Sequence, residues 1–178
     1  QINNSGIQWI EKIPKHWKVE RIKYRVKINE KTLDDKTDPN LEILYIDVGS
    51  VHAGGKIDEP EKMSFKDAPS RARRIINQND TIVSTVRTYL KAIAFIDETK
   101  RNCICSTGFV VISSDSIDPK FLYLSLNSQH FIDTIEANSK GVAYPAINPP
   151  QLGNLKISFP PTKTEQKHFE FNKVHTYK

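Results

Sequence analysis

Phe65 to Lys91 reads FKDAPSRARRIINQNDTIVSTVRTYLK, with six basic residues (Lys66, Arg71, Arg73, Arg74, Arg87, Lys91) against two acids (Asp67, Asp80). The basic cluster leads into a polar turn, Asn77-Gln78-Asn79-Asp80. Thr81-Ile82-Val83-Ser84-Thr85-Val86 follows, apolar residues interleaved with small hydroxyls, and its alternation predicts a half-buried strand. That strand delivers Arg87, Thr88 and Tyr89 to its far end. Arginines able to fork onto phosphates or guanine edges, beside hydroxyls and an aromatic ring, suit a nucleic-acid reader. The same pattern also fits a solvated basic edge strand, because Lys and Arg often guard exposed sheet edges.

Further strands are predicted on both sides. Upstream, Ile43 to Val48 (ILYIDV) has strand character, Gly54-Gly55 marks a turn, and residues 29–42 form a polar loop. Trp9 and Trp17, in a lead-in rich in aromatics, are the kind of residues that anchor a segment on a core. Downstream, Ala92 to Ile96 and Phe109 to Ile112 are apolar strands, Cys103 to Thr107 is extended, and Gly108 fits a bulge. Asp118-Pro119 has an acidic cap and a first-turn proline. Phe121, Leu124, Phe131, Ile132 and Ile135 then recur near helical spacing, predicting one helix packed on the sheet and ended by Gly141. Residues 138–150 form a loop carrying Lys140 and Tyr144, and Leu155 to Phe159 is a last strand. Thr162 and Glu165 have capping-box spacing, so a helix should start there.

The chain of 178 residues has room for one domain with a real core. No apolar run approaches the roughly 18 residues of a membrane span, and no apolar leader follows Gln1. A first residue other than Met is what a fragment or processed product would show. The net charge of +5 is unevenly spread: residues 1–29 hold seven basic residues and two acids, residues 30–61 three basic and nine acidic. Such polarity favours a basic face turned to a polyanion, with an acidic surface elsewhere. Cys103 and Cys105 are too few for a disulfide framework or a structural zinc site, and are expected buried and reduced in a cytoplasmic protein. Asn148-Pro149-Pro150-Gln151 lacks the terminal aromatic of the amino-methyltransferase motif, and no glycine-rich cofactor loop follows a strand, so a proline-rich loop entering a strand is expected. Asp58 to Lys62 is interrupted by Pro60 and is expected to be a solvated loop rather than a nuclease centre. No nucleophile elbow, phosphate loop or zinc-protease signature occurs, so no catalytic centre is expected.

Several stretches resemble, in order, blocks of the specificity subunits of type I restriction-modification enzymes. SGIQWIEKIPKHWKVERIKY (5–24) resembles their lead-in, and APSRARRIINQNDTIVSTVR (68–87) their "SRARR … GDIIxSTVR" block, with Asn79 where the family usually has Gly. Cys105-Ser106-Thr107-Gly108-Phe109 is similar to "CSTGF", the loop from Gly141 to Asn148 to "KGVAYPAIN", and LGNLKISFPPTKTEQ (152–166) to "LxxLxIPxPPLxEQ".

The resemblance implies an α/β (α+β) target recognition domain over residues 1–160, with a curved, barrel-like mixed sheet and a packed helix. Residues 161–178 would begin a conserved helical spacer. Such a domain reads one half of a bipartite site in duplex DNA. Modification and restriction subunits would supply methylation and cleavage with S-adenosylmethionine, ATP and magnesium, leaving this chain without cofactor or activity of its own. A single domain fits a piece of a longer protein, a truncated gene, or a half-subunit that would have to dimerise. The expected DNA contacts are Arg71, Arg73, Arg74, Arg87 and Lys91, with Ser84, Thr85 and Tyr89 as polar helpers and Lys140 and Tyr144 from the second loop. Side chains alternate along a strand, so Arg73 and Arg74 should point to opposite faces and at least one should be structural. A module that docks a methyltransferase subunit through Trp9, Trp17 and the terminal helix is the alternative.

Overall fold

The fold is held by two four-stranded sheets stacked on each other, each shielded on its outer face. We describe residues 2–7 and 10–168 of a computed structural model, with side chains from Ile13 onward. The expected roles of Trp9 and of residues 169–178 lie outside the described residues. A hairpin, β1 (Ile2–Ile7) and β2 (Ile10–Pro14), opens the chain, and β3 (Lys18–Arg21) follows. The first large sheet has the order β6 (Glu61–Ser64), β5 (Glu42–Ile46), β10 (Ile104–Ser106), β7 (Ala72–Ile75). The second has the order β4 (Lys27–Ile28), β11 (Phe109–Ser113), β8 (Thr81–Ser84), β9 (Ile93–Phe95). β12 (Lys156–Phe159) pairs with β3. Among the described residues only β5 and β10 run parallel, so the sheet set is mixed.

The fold is mixed α+β as expected, but its barrel-like detail is not met: among the described residues the strands form open sheets of two and four strands, none closed. The chain crosses between the large sheets at β4–β5, β7–β8, β9–β10 and β10–β11, so strands consecutive at these points stack rather than pair. Strand alternation explains the cores. In β8, Ile82 faces the inter-sheet cluster with Ile46, Ile76, Cys105, Phe109 and Val111, while Val83 faces Val110, Ile112 and the helices. β8 is therefore wholly buried, not half-buried as its polar interleaving predicts. Cys103 and Cys105 are free and buried in the inter-sheet cluster, and burial pushes both thiols up. A third cluster (Ile43, Tyr45, Ala72, Ile104) is covered by Leu33 of the acidic loop and by Phe65.

The predicted single helix is two, α1 (Pro119–Leu126) and α2 (Gln129–Asn138). Ser128 divides them: its hydroxyl donates to the Ser125 carbonyl (2.7 Å) and accepts from the Phe131 N–H (3.4 Å). Short polar side chains compete for backbone groups in this way and favour caps over helix interiors. Both helices bury the expected stripe apart from Leu124, which is half-buried. Trp17 packs edge-on against Phe121, centroids 6.2 Å apart, as an anchor should.

The Asn148 loop is also corrected, because Pro149–Asn154 is a helix, α3. Asn148 accepts from the Gln151 N–H (2.8 Å) and Gln151 accepts from the Asn148 N–H (3.1 Å), a full capping box. The two prolines occupy first-turn positions, where an N–H is not needed. Glu61 and Lys62 begin β6, so only Asp58 to Pro60 is loop. The bulge-type register shift falls between Cys105 and Ser106, and Gly108 lies in the β10–β11 turn. A helix, α4, covers 163–168, capped by Thr162, whose hydroxyl accepts from the Glu165 N–H at 3.2 Å.

Candidate nucleic-acid interface

Beyond the end of β8 the chain turns sharply through Thr88–Leu90, a single 3-10 turn flanked by Arg87 (φ 49°) and Lys91 (φ 52°). Both flanks are left-handed, a conformation that disfavours residues with a Cβ by roughly 1–2 kcal/mol each. Tertiary bonds hold them there. Thr88 is buried, and its hydroxyl donates to Ser139 Oγ (3.0 Å), which donates on to the Ile135 carbonyl of α2 (2.7 Å).

The second loop is fastened to the same strand end. Lys140 and Ala146 exchange two backbone bonds (2.8 and 2.9 Å), and the Ile147 N–H donates to the Thr85 carbonyl at 2.9 Å. Ala146 also bridges to Val86. Residues 140–146 thus form a small closed hairpin. Gly141 permits it with φ of +108°, and a Cβ there would lie 2.9 Å from the Tyr144 carbonyl oxygen.

Arg87 of the first segment consequently lies over the Tyr144 ring of the second, Cζ 5.5 Å from its centroid. Around this contact Val86 (37% exposed), Tyr89 (51%), Tyr144 (69%) and Val142 (104%) face solvent. Lys140 is exposed beside them and Lys91 is half-buried. Arg87 and Tyr144, far apart in sequence, therefore share one surface, with Tyr89, Lys91 and Lys140 carried on the two segments that meet there.

The other expected contacts sit differently. Ser84 and Thr85 are buried, their hydroxyls donating to the Val86 carbonyl (2.6 Å) and the Gly108 carbonyl (2.9 Å), so they fix backbone. Arg73 stacks on Phe65 (4.7 Å), pairs with Asp35 (3.2 Å), and has Nη1 buried without a hydrogen-bond partner. Arg74 lies on the opposite face of β7, half-buried, with Nε likewise unpartnered. Arg71 points outward and is held by Asp47, Nε to Oδ1 3.2 Å. Its carbonyl accepts from the Thr107 N–H (2.8 Å), and the Gly108 carbonyl accepts from the Thr85 N–H (2.8 Å). The Thr107-Gly108 turn thus joins the Arg71 side to the Arg87 side. A Cβ on Gly108 would come within 2.7 Å of Val48 Cγ2, so the seam needs glycine.

Tyr45, Asp47 and Val142 are missing from the predicted set. The Tyr45 hydroxyl donates to Asp47 (2.9 Å), and their i, i+2 spacing in the ILYIDV strand was the available signal. Burial works against the Asp47 charge, but the Tyr45 hydroxyl, the Gly49 and Val48 N–H groups and Arg71 outweigh it and hold the carboxyl below its usual range. Among the described residues no group of three potential ligands could hold a metal ion, and no helix is long and apolar enough to cross a membrane.

Residues 14–177 match the family model for the type I restriction modification DNA specificity domain. The chain is 28% identical over 129 residues to the type I restriction enzyme HindI specificity subunit of Haemophilus influenzae, covering 70% of this chain and 28% of that protein. The HsdS subunit of Thermoanaerobacter tengcongensis superposes with a TM-score of 0.77 at 31% identity, over 92% of this chain and 42% of that one. A chain from work on the structural basis of complex assembly and conformational transition of the type I R-M system gives 0.82 at 28% identity, covering 92% and 43%. The present chain therefore spans less than half the length of each of these relatives.

Proposed function

The chain belongs to the type I restriction modification DNA specificity domain family, and on that premise we propose that it binds duplex DNA sequence-specifically and reads one half of a bipartite site. Residues 1–160 act as the recognition domain, and 161–178 belong to the start of the family's conserved spacer. The chain acts in the cytoplasm without catalysing anything. It directs modification and restriction subunits, which carry the S-adenosylmethionine, ATP and magnesium chemistry, to the site.

The observation that carries this reading is the meeting of Arg87 and Tyr144, from two separate family-like segments, on one exposed surface with Tyr89 and Lys140. Arginine beside aromatic rings offers phosphate pairing, base-edge hydrogen bonds and stacking together. Arg71 extends the surface across the Thr107-Gly108 turn. Arg73 and Arg74 contribute mainly through charge and support, and Ser84 and Thr85 through the backbone they fix.

Selection from a random duplex pool at two salt concentrations, by the chain alone and with its modification subunits, tests the proposal. A short enriched motif is expected, bound more weakly as salt rises. Salt-sensitive binding with no motif in either setting leaves only a generic basic surface, and no binding in any setting overturns DNA recognition by this chain.

A further inference from the structure

We infer that the hairpin 140–146 is a groove-inserting element, its apolar tip Val142 entering a DNA groove while Arg87 and Lys140 at its base engage the flanking phosphates. The inference rests on the DNA-binding proposal and adds how the surface meets the duplex. Val142 is fully exposed, at 104%, and so contributes no packing to the fold. Val142 lies in the turn between the paired Lys140 and Ala146, where its apolar side chain is open to a partner. The hairpin is rigid at its base, where Lys140 and Ala146 exchange two hydrogen bonds and Ala146 bridges to Val86.

Charge argues for DNA as the occupant. Both sides of the base carry a cation: Lys140 on the hairpin itself, and Arg87 on the adjoining strand end, lying over Tyr144. Among the described residues carboxylates pair with Arg25, Arg71, Arg73 and Arg101, not with Arg87. A protein partner contacted through Val142 would need acids facing both cations, whereas a duplex offers phosphates on either side of every groove. Two paired segments lie about 5 Å apart, narrow enough for a major groove about 12 Å wide. The tip contact is apolar and the collar contacts are ionic, so salt separates them.

The full chain is titrated with its selected duplex at several salt concentrations, as wild type and as Val142→Ala, Arg87→Ala and Lys140→Ala. Val142→Ala should bind on the order of ten-fold more weakly at every salt concentration, with the salt slope unchanged and the melting temperature unaltered. Arg87→Ala and Lys140→Ala should each lower the slope of log affinity against log salt by about one. Wild-type affinity for Val142→Ala at every salt overturns the inference, even where the DNA-binding proposal stands. So does a Val142→Ala variant that keeps its duplex affinity but loses modification subunits. Failure of the wild type to bind any duplex removes the DNA-binding proposal itself.

Discussion

Asp80 immediately precedes β8 and Asp47 immediately follows β5, yet their surroundings drive them in opposite directions. Asp80 is 5% exposed, and burial raises its carboxyl above the usual 3.8 although Asn77 N–H donates to it at 2.7 Å. Between the unfolded and folded values, the native state still holds a proton that the unfolded chain has lost. Stability from this group therefore falls as pH rises through that interval and stays lowered above it. Asp80→Asn keeps an oxygen to accept from Asn77, so its urea midpoint at neutral pH should equal or exceed that of the wild type. The midpoint should also lack this decline between about pH 4 and the raised value. A steeper decline in the variant would assign the effect elsewhere. Asp47 has the reverse sign: its lowered carboxyl stabilises the fold above the ordinary value, and that contribution is lost as pH falls through the depressed one. Asp47→Asn should remove this acid-side loss and loosen Arg71, which the pair now holds at 3.2 Å and which Tyr45 also holds.

Elements are joined here by single side chains whose loss should be measurable. Gln166 is 1% exposed; its Oε1 accepts from the Asp118 N–H (2.7 Å) and its Nε2 donates to the Pro160 carbonyl (2.9 Å). It ties α4 to the start of α1, and thereby sets the direction in which the terminal helix leaves the domain. Gln166→Leu fills the same space but strands two buried backbone groups, at about 1–3 kcal/mol each, readable by urea unfolding. In the β7–β8 turn, Asn79 has φ of +72°. Asn79→Gly should be near neutral, and Asn79→Ala should cost about 1 kcal/mol. The glycine usual at this place in the family is thus accounted for by the backbone. Local signals of this kind were legible in the sequence: the Asp118-Pro119 start, the Thr162 cap and most strands are where the residues put them. Competition between local signals hid the rest. The stripe from Phe121 to Ile135 outweighed Ser128 as a cap, and paired prolines masked the box closed by Gln151. Non-local pairings left no trace in sequence, the parallel β5–β10 register foremost. The site was half legible for the same reason. Its cations were visible as types, but the Ile147–Thr85 bond and the Val86–Ala146 bridge bring Arg87 to Tyr144, and only folding turns Arg73 onto Phe65.

At the scale of the molecule, the four crossings between the large sheets make the domain one mechanical unit, and the candidate surface straddles its seam. Arg71 belongs to the first sheet's side and Arg87 to the second's, joined by backbone bonds at Thr107-Gly108. Neither sheet can present the whole surface alone. Adjacent residues of β8 report on the two cores separately, since Ile82 packs between the sheets and Val83 against the helices. Were the sheets independent, Ile82→Ala and Val83→Ala would loosen different parts and split the unfolding curve. Because β8 belongs to both cores, each variant should instead lower one common transition, Ile82→Ala by about 2–5 kcal/mol and Val83→Ala by somewhat less. Tryptophan fluorescence and far-ultraviolet circular dichroism should give coincident curves for all three proteins. Duplex binding followed through the same urea series should disappear along the same curve. Binding that outlasts the fluorescence change would mean that the recognition surface survives on one sheet, and the seam would then lose its place in the account of function.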